Sequence, residues 1–175
     1  MYLKTPFGTP PIRLIKQKCL KDVWKLMNFQ TAVCDLTGMP LANCSLLDEA
    51  TAAAEAVTMM YALRPREMQK SGANVVFVDE SIFPQTLAVI TTRAIPQGIE
   101  IRTGRYNEAE LTPDTFACIL QYPNGDGNIE DYRTFVENAH AAGCKVAVAA
   151  DILSLALLTR RENGEQTSCL EQPSD

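Results

Sequence analysis

Histidine is nearly absent from this chain, and several nucleotide and metal signatures are missing outright. One histidine, His140, serves 175 residues. Six cysteines occur (Cys19, Cys34, Cys44, Cys118, Cys144 and Cys169), yet none pair as C-x-x-C. A zinc site therefore lacks ligands at workable spacing. Most of these cysteines lie in apolar segments, which predicts buried reduced thiols and a cytoplasmic compartment. No G-x-G-x-x-G or P-loop pattern occurs, so the usual glycine-rich phosphate cradle is missing. No apolar run approaches a membrane span, and no secretory signal pattern opens the chain. The net charge of −5 argues against a nucleic-acid or anionic-membrane surface.

Lysine is scarce where it would matter most. Between Leu26 and Thr159 only Lys70 and Lys145 occur. Lys70 reads as part of a polar loop before a strand, and Lys145 as the entry of one. A Schiff-base lysine belongs near the exit of a strand, so a self-contained imine-forming site is not expected.

What is present is an alternation of helix and strand patterns. Leu26–Leu36 has apolar residues at helical spacing, stopped by Gly38 and Pro40. Ser45 followed by Asp48 reads as a capping signal for an alanine-rich helix running to about Ala62, with Pro65 beyond it. Val75–Val78 and Phe116–Tyr122 are buried-strand runs. Pro84–Arg93 is helical, Ile99–Arg102 is a strand candidate, and Pro123–Gly127 is a turn. Ile129–Ala142 has helical spacing with Gly143 as its stop. Val146–Ala149 is a strand ending at Asp151, followed by the apolar helix Ile152–Leu158. This order implies a mainly parallel sheet covered by helices.

Two places could carry chemistry. Ser45–Thr51 opens a helix, and helix N-termini attract anions. Asp48 and Glu49 would repel a phosphate there, and a plain cap explains the same residues. Asp151 ends a strand, where open α/β sheets place ligand contacts. It serves equally as a helix cap. His140, near a helix end, reads as a solvated or dipole-stabilised side chain.

Four stretches together resemble one family: NFQTAVCDLTGM (Asn28–Met39) with PLANCSLLDEATAAAEAV (Pro40–Val57), ILQYPNGDGNIED (Ile119–Asp131) and AADILSLALLT (Ala149–Thr159). The family is the P-protein of the glycine cleavage system, a pyridoxal-phosphate (PLP) glycine decarboxylase. The resemblance is to its N-terminal half, or to subunit 1 where the enzyme is split, which does not carry the cofactor lysine. It implies an α/β fold, the truncated large domain of the PLP-dependent transferase class (aspartate-aminotransferase-like, fold type I). It implies that Asp48, Glu49, Ala50, Thr51 and Asp151 stand at pseudo-site positions for the cofactor, with no catalytic residue of its own. Ala50 replaces a glycine that is usual in the family's first half. The implied cofactor is PLP in the assembled enzyme, with none held by this chain alone. The implied partners are subunit 2, or the C-terminal half, and the lipoyl H-protein. Two other readings stay open: a noncatalytic remnant that docks on subunit 2, and a small anion-binding α/β module using the Ser45 turn.

The resemblance stops at both ends. Residues 1–25 carry six basic residues against one acid, and the tail 160–175 is polar, without periodicity, and reads as disordered. With permitted codons read one nucleotide earlier, the tail RRENGEQTSCLEQPSD spells PPGEWGADVVFGATQR, the family's continuation. Phe7–Lys25 can likewise be reread as WYTPYTPYKAEMSQGRLEA, the family segment before LMNFQ. Both ends therefore read as out-of-frame segments flanking an authentic partial domain, 26–159. A basic targeting peptide would account for the first end but not the second. A sheet cut short in this way exposes apolar edges, and marginal stability and aggregation are expected.

Overall fold

The computed structural model describes residues 27–157 and the backbone of Ser168–Gln172. The atypical segment 1–25, with Cys19, lies outside the described residues, as does most of the tail. The chain divides into two compact units, Met1–Cys44 and Ser45–Asp175.

In the first unit, helix α1 spans 27–37. It ends where the sequence says it should: Gly38 takes φ 74° and its N–H donates to Cys34 O at 2.9 Å. That left-handed residue is open to glycine without a Cβ penalty.

The second unit is a parallel sheet with helices on both faces. Its elements are α2 (Glu49–Ala62), α3 (Arg66–Ser71), β1 (Val75–Asp79), α4 (Pro84–Ala94), β2 (Glu100–Gly104), β3 (Thr115–Tyr122), α5 (Arg133–Ala141), β4 (Lys145–Asp151), α6 (Ile152–Leu157) and β5 (Ser168–Gln172). The strand order is β2-β1-β3-β4-β5, and every pairing is parallel. This is the expected α/β class.

Period-two alternation divides the strands between two cores. Val76, Val78, Ile119, Ala147 and Ala149 face a cluster with Ala53, Ala54, Val57 and Met60 of α2 and Ile90 and Ala94 of α4. Phe77, Cys118, Leu120, Val146 and Val148 face Tyr132 and the α5 residues Phe135, Val136 and Ala139. Strands buried on both faces read as continuous apolar runs, which is why VVFVD and FACILQY were recognisable. Alanines on both α2 and β4 let that helix lie close to the sheet.

Four local expectations are corrected. Ser45 does not cap α2; its hydroxyl turns to Leu46 O at 3.2 Å, and Asp48 Oδ1 takes the Thr51 N–H at 2.6 Å instead. A carboxylate is the stronger acceptor at the positive end of a helix. Lys70 lies on α3 rather than in a loop. That helix has no buried residue, so no apolar periodicity announced it. Helix α5 starts at Arg133 rather than Ile129. The Asn124 side chain accepts from the Asp126 and Asn128 N–H groups, and Asp131 from that of Arg133, so turns hold this stretch until the helix begins. Finally, the backbone of Ser168–Gln172, inside the tail read as disordered, pairs with β4 from Ala147↔Ser168 to Asp151↔Gln172. An open sheet edge recruits such a strand through backbone groups, which no side-chain pattern records.

Candidate functional site at the carboxyl edge of the sheet

Three strands switch from apolar to polar at their carboxyl ends: β1 at Asp79, β3 at Gln121 and β4 at Asp151. Helix α2 begins over the same edge, because the Gln121 Nε2 donates to Glu49 Oε1 at 3.0 Å.

Asp79 is buried at 2% exposure. Its Oδ1 accepts the Tyr106 N–H at 3.0 Å and its Oδ2 the Ser81 hydroxyl, so the loops after β1 and β2 are tied to one carboxylate. Tyr132, fully buried, donates its hydroxyl to Gln121 O at 3.1 Å. Its ring meets Tyr106 edge-on at 4.7 Å, and Tyr106 donates to Glu130 Oε2 at 3.0 Å. The loop after β3 closes onto the loop after β1 through Gly125 N–H to Ser81 O at 2.7 Å, and a Cβ on Gly125 would stand 2.6 Å from that oxygen. Tyr122–Pro123 is a cis peptide.

Both tyrosines titrate high. Burial, followed by the Asp79 charge, pushes the Tyr132 phenol up; burial and the hydrogen bond to Glu130 raise Tyr106. A raised folded value means that the folded chain holds its phenolic protons longer than the unfolded chain does. Stability is then fully present below the ordinary tyrosine value of about 10 and falls as pH rises toward the folded value, by about 1.4 kcal/mol per pH unit for Tyr132. Urea midpoints at pH 8 and pH 11 are expected to differ less for Tyr132→Phe than for the parent chain; equal differences would contradict this assignment.

The expected pseudo-site residues fall in two places, Asp48–Thr51 at the start of α2 and Asp151 at the end of β4. Asp48 is the N-cap of α2, and its bonds to the Thr51 hydroxyl and N–H hold its carboxyl below the usual range. Glu49 is half-buried against Gln121, Ala50 is buried at 6% exposure, and Thr51 faces its own cap. Asp151 is exposed and accepts the Leu153 N–H at 3.3 Å, a capping contact for α6. Asp79, Gln121, Tyr106 and Tyr132 were missed as a network. The polar last residue of the VVFVD strand was the available signal for Asp79.

The arrangement does not fit PLP. Asp48 takes up the Thr51 N–H, and two carboxylates flank the first turn of α2 where an anion would sit. Lys70 is on the helix that precedes β1, and Lys145 is the first residue of β4, so both lie toward the amino edge. Among the described residues no lysine reaches the carboxyl edge. No group of three or more His, Cys, Asp or Glu side chains there is placed to hold a metal ion. Cys118 and Cys144 are buried, as expected, while Cys34 is half-buried and Cys44 exposed. A hydrogen bond with Cys144, and then burial, push the Cys118 thiol up, which makes it unreactive. Among the described residues no helix is long and apolar enough to cross a membrane.

A family model described as the glycine cleavage system P-protein matches residues 15–167. The chain belongs to the P-protein family. A glycine dehydrogenase (decarboxylating) of Bacteroides fragilis is 81% identical over 134 residues, 77% of this chain and 14% of that protein. One from Flavobacterium johnsoniae is 49% identical over the same share of each. The chain thus spans about one seventh of the length of these relatives. Among solved structures, a glycine decarboxylase (P-protein) in inhibitor-bound form superposes with a TM-score of 0.67 at 29% identity, covering 81% of this chain and 32% of that one. A methionine gamma lyase from Micromonospora echinospora superposes at 0.55 with 19% identity, covering 71% and 32%, which shows a shared fold. The fold class, α/β of the PLP-dependent transferase type, is that of these neighbours, of each of which the match covers about a third.

Proposed function

We propose that this chain is a piece of the first half, or subunit 1, of a glycine decarboxylase of the glycine cleavage system, and that it decarboxylates nothing alone. The observation that carries the reading is the carboxyl edge of the sheet, where acceptors gather at Asp48, Glu49, Asp79, Gln121 and Asp151 and, among the described residues, no lysine reaches. In the longer protein the proposed reaction releases CO2 from glycine and moves the aminomethyl group to the lipoyl arm of the H-protein. PLP, held by subunit 2 or the C-terminal half, would supply the electron sink for that step. The pseudo-site positions Asp48, Glu49, Ala50, Thr51 and Asp151 then shape the interface with that half rather than hold the cofactor. We place the assembly in the cytoplasm.

The test compares 14C-glycine decarboxylation by this chain, by the PLP-bearing half, and by both together. No CO2 and no PLP absorbance band are expected from the chain alone. Turnover by the purified chain would sink the reading. A docking remnant is a second reading, favoured by Leu153 and Leu157 of α6, which are 60% and 75% exposed. Co-purification with subunit 2, without gain in turnover, is its signature.

The out-of-frame origin of both ends belongs to the same proposal. The 134 residues aligned with the curated relatives equal the length of Leu26–Thr159, while the family model runs on to residues 15 and 167. The rereading puts VVFGA at Ser168–Gln172, the β5 position. A β-branched apolar run suits a parallel strand better than SCLEQ does. Replacing 160–175 by PPGEWGADVVFGATQR is therefore expected to stabilise the chain by about 1–2 kcal/mol, raising Tm by roughly 3–6 °C. An unchanged or lower Tm would count against it. Sequencing the gene around Lys25 and Thr159 decides whether the codons allow the rereading at all.

A further inference from the structure

The first turn of α2 and the end of β3 meet at the Glu49–Gln121 side-chain pair. Gln121 is 2% exposed and donates Nε2 to Glu49 Oε1 at 3.0 Å. Its own Oε1 is buried and has no hydrogen-bond partner among the described residues. A buried amide oxygen without a donor is unfavourable, because it has given up its hydrogen bonds to water with nothing in return. Turning the amide over gives no relief, because Oε1 would then face the Glu49 carboxylate and the NH2 would lose its acceptor. The amide oxygen and the carboxylate are thereby fixed on neighbouring heads at the start of a 14-residue helix.

Charge at this helix end runs against anion binding. Asp48 already takes the Thr51 N–H through its side chain and the Ala52 N–H through its carbonyl. Asp48 and Glu49 add two carboxylates. Arg93, whose charge reaches Asp48, is ion-paired with Glu55. An incoming anion would meet two like charges, whereas a cation would meet both carboxylates and a free amide oxygen.

We propose that Glu49 and Gln121 form a site for a protonated nitrogen group, a guanidinium or primary ammonium, that bridges a Glu49 carboxylate oxygen and Gln121 Oε1. Two acceptors on adjacent heads match the forked donors of a guanidinium, and the charge-assisted bond to Glu49 supplies most of the attraction. Glu49 is half-buried, so its carboxylate can be approached from solvent beside the Gln121 amide. The group is either a free small cation or an arginine or lysine side chain from elsewhere in the longer protein, of which this chain matches 14% in the Bacteroides relative. Nothing in this assignment depends on glycine decarboxylation.

The test uses the full chain with three probes: methylguanidinium, an end-blocked Gly-Arg-Gly peptide, and inorganic phosphate. Peptide-level hydrogen exchange across Leu46–Ala56 is the first readout. Slower exchange is expected with the two cationic probes and not with phosphate. Glu49→Gln, a near-isosteric change on a half-exposed side chain, is expected to weaken both cations by about tenfold, the loss of one charge-assisted bond. The thermal midpoint with Gly-Arg-Gly against Gly-Gly-Gly gives a second readout; an upshift is expected in the parent chain and not in Glu49→Gln. Tighter binding of the peptide than of methylguanidinium points to a side-chain source, and equal binding to a small cation. Protection by phosphate, equal protection in Glu49→Gln, or no response to either cation would overturn the site and leave water as the partner of Oε1.

Discussion

Tyr132→Ala is expected to lower the stability of the folded chain by about 3–5 kcal/mol, the range for removing a large buried aromatic ring. Tyr132 is fully buried in the cluster with Phe77 and Phe135, and its ring lies edge-on to Tyr106 with centroids 4.7 Å apart. Its hydroxyl also holds Gln121 O at 3.1 Å, just where β3 gives way to the loop that caps the sheet. Alanine would leave a cavity and remove a donor together. Tyr132→Phe separates the two effects, since it keeps the ring and is expected to cost only about 1 kcal/mol. Urea denaturation of both variants measures the difference. A total near 5–15 kcal/mol is usual for a domain, so the alanine variant should lose a large share of its stability. A cost under about 1 kcal/mol for alanine would mean that the second core does not depend on this ring.

Asp79→Ala is expected to cost about 3 kcal/mol or more, because two donors lose a charged acceptor at once. The Tyr106 N–H and the Ser81 hydroxyl both point at this carboxylate, which is 2% exposed. The loops after β1 and β2 would come free at the carboxyl edge. Asp79→Asn keeps one acceptor oxygen and should recover part of the loss. Hydrogen exchange at Tyr106 is the local readout; faster exchange there, with β3 unchanged, distinguishes loop release from global unfolding. Unaltered exchange at Tyr106 in the alanine variant would refute the pinning role.

Much of this fold was legible in the residues themselves. Strands β1 and β3 announced themselves because both of their faces are buried, so no polar residue interrupts Val75–Val78 or Phe116–Leu120. Helix ends at Gly38 and Gly143 were legible because both take positive φ, which glycine adopts without strain. Helix α3 was not legible, since Met68 alone of its six residues packs against the core and a single apolar residue makes no stripe. The cap of α2 was read one turn too early, because Ser45 and Asp48 are both good capping residues and only the chain's path past Leu46 and Leu47 chooses between them.

The candidate site divides the same way. Asp151 was visible as a polar residue closing an apolar strand, and the scarcity of lysine was countable. The Glu49–Gln121 pair joins residues 72 positions apart, and Asp79 with Tyr106 joins residues 27 apart. No local pattern encodes such separations; they arise when parallel strands bring their carboxyl ends to one edge.

By itself, the sequence determined the family, through the stretches that resemble it, and also the α/β class, the apolar runs and the absence of a lysine near the exits of these strands, because composition and short-range periodicity carry those last three. Only the tertiary structure decided which polar groups share the edge, which cap α2 uses, and that the backbone of Ser168–Gln172 pairs with β4. Those outcomes depend on hydrogen bonds between segments distant in the chain, whose partners exist only once the sheet has assembled.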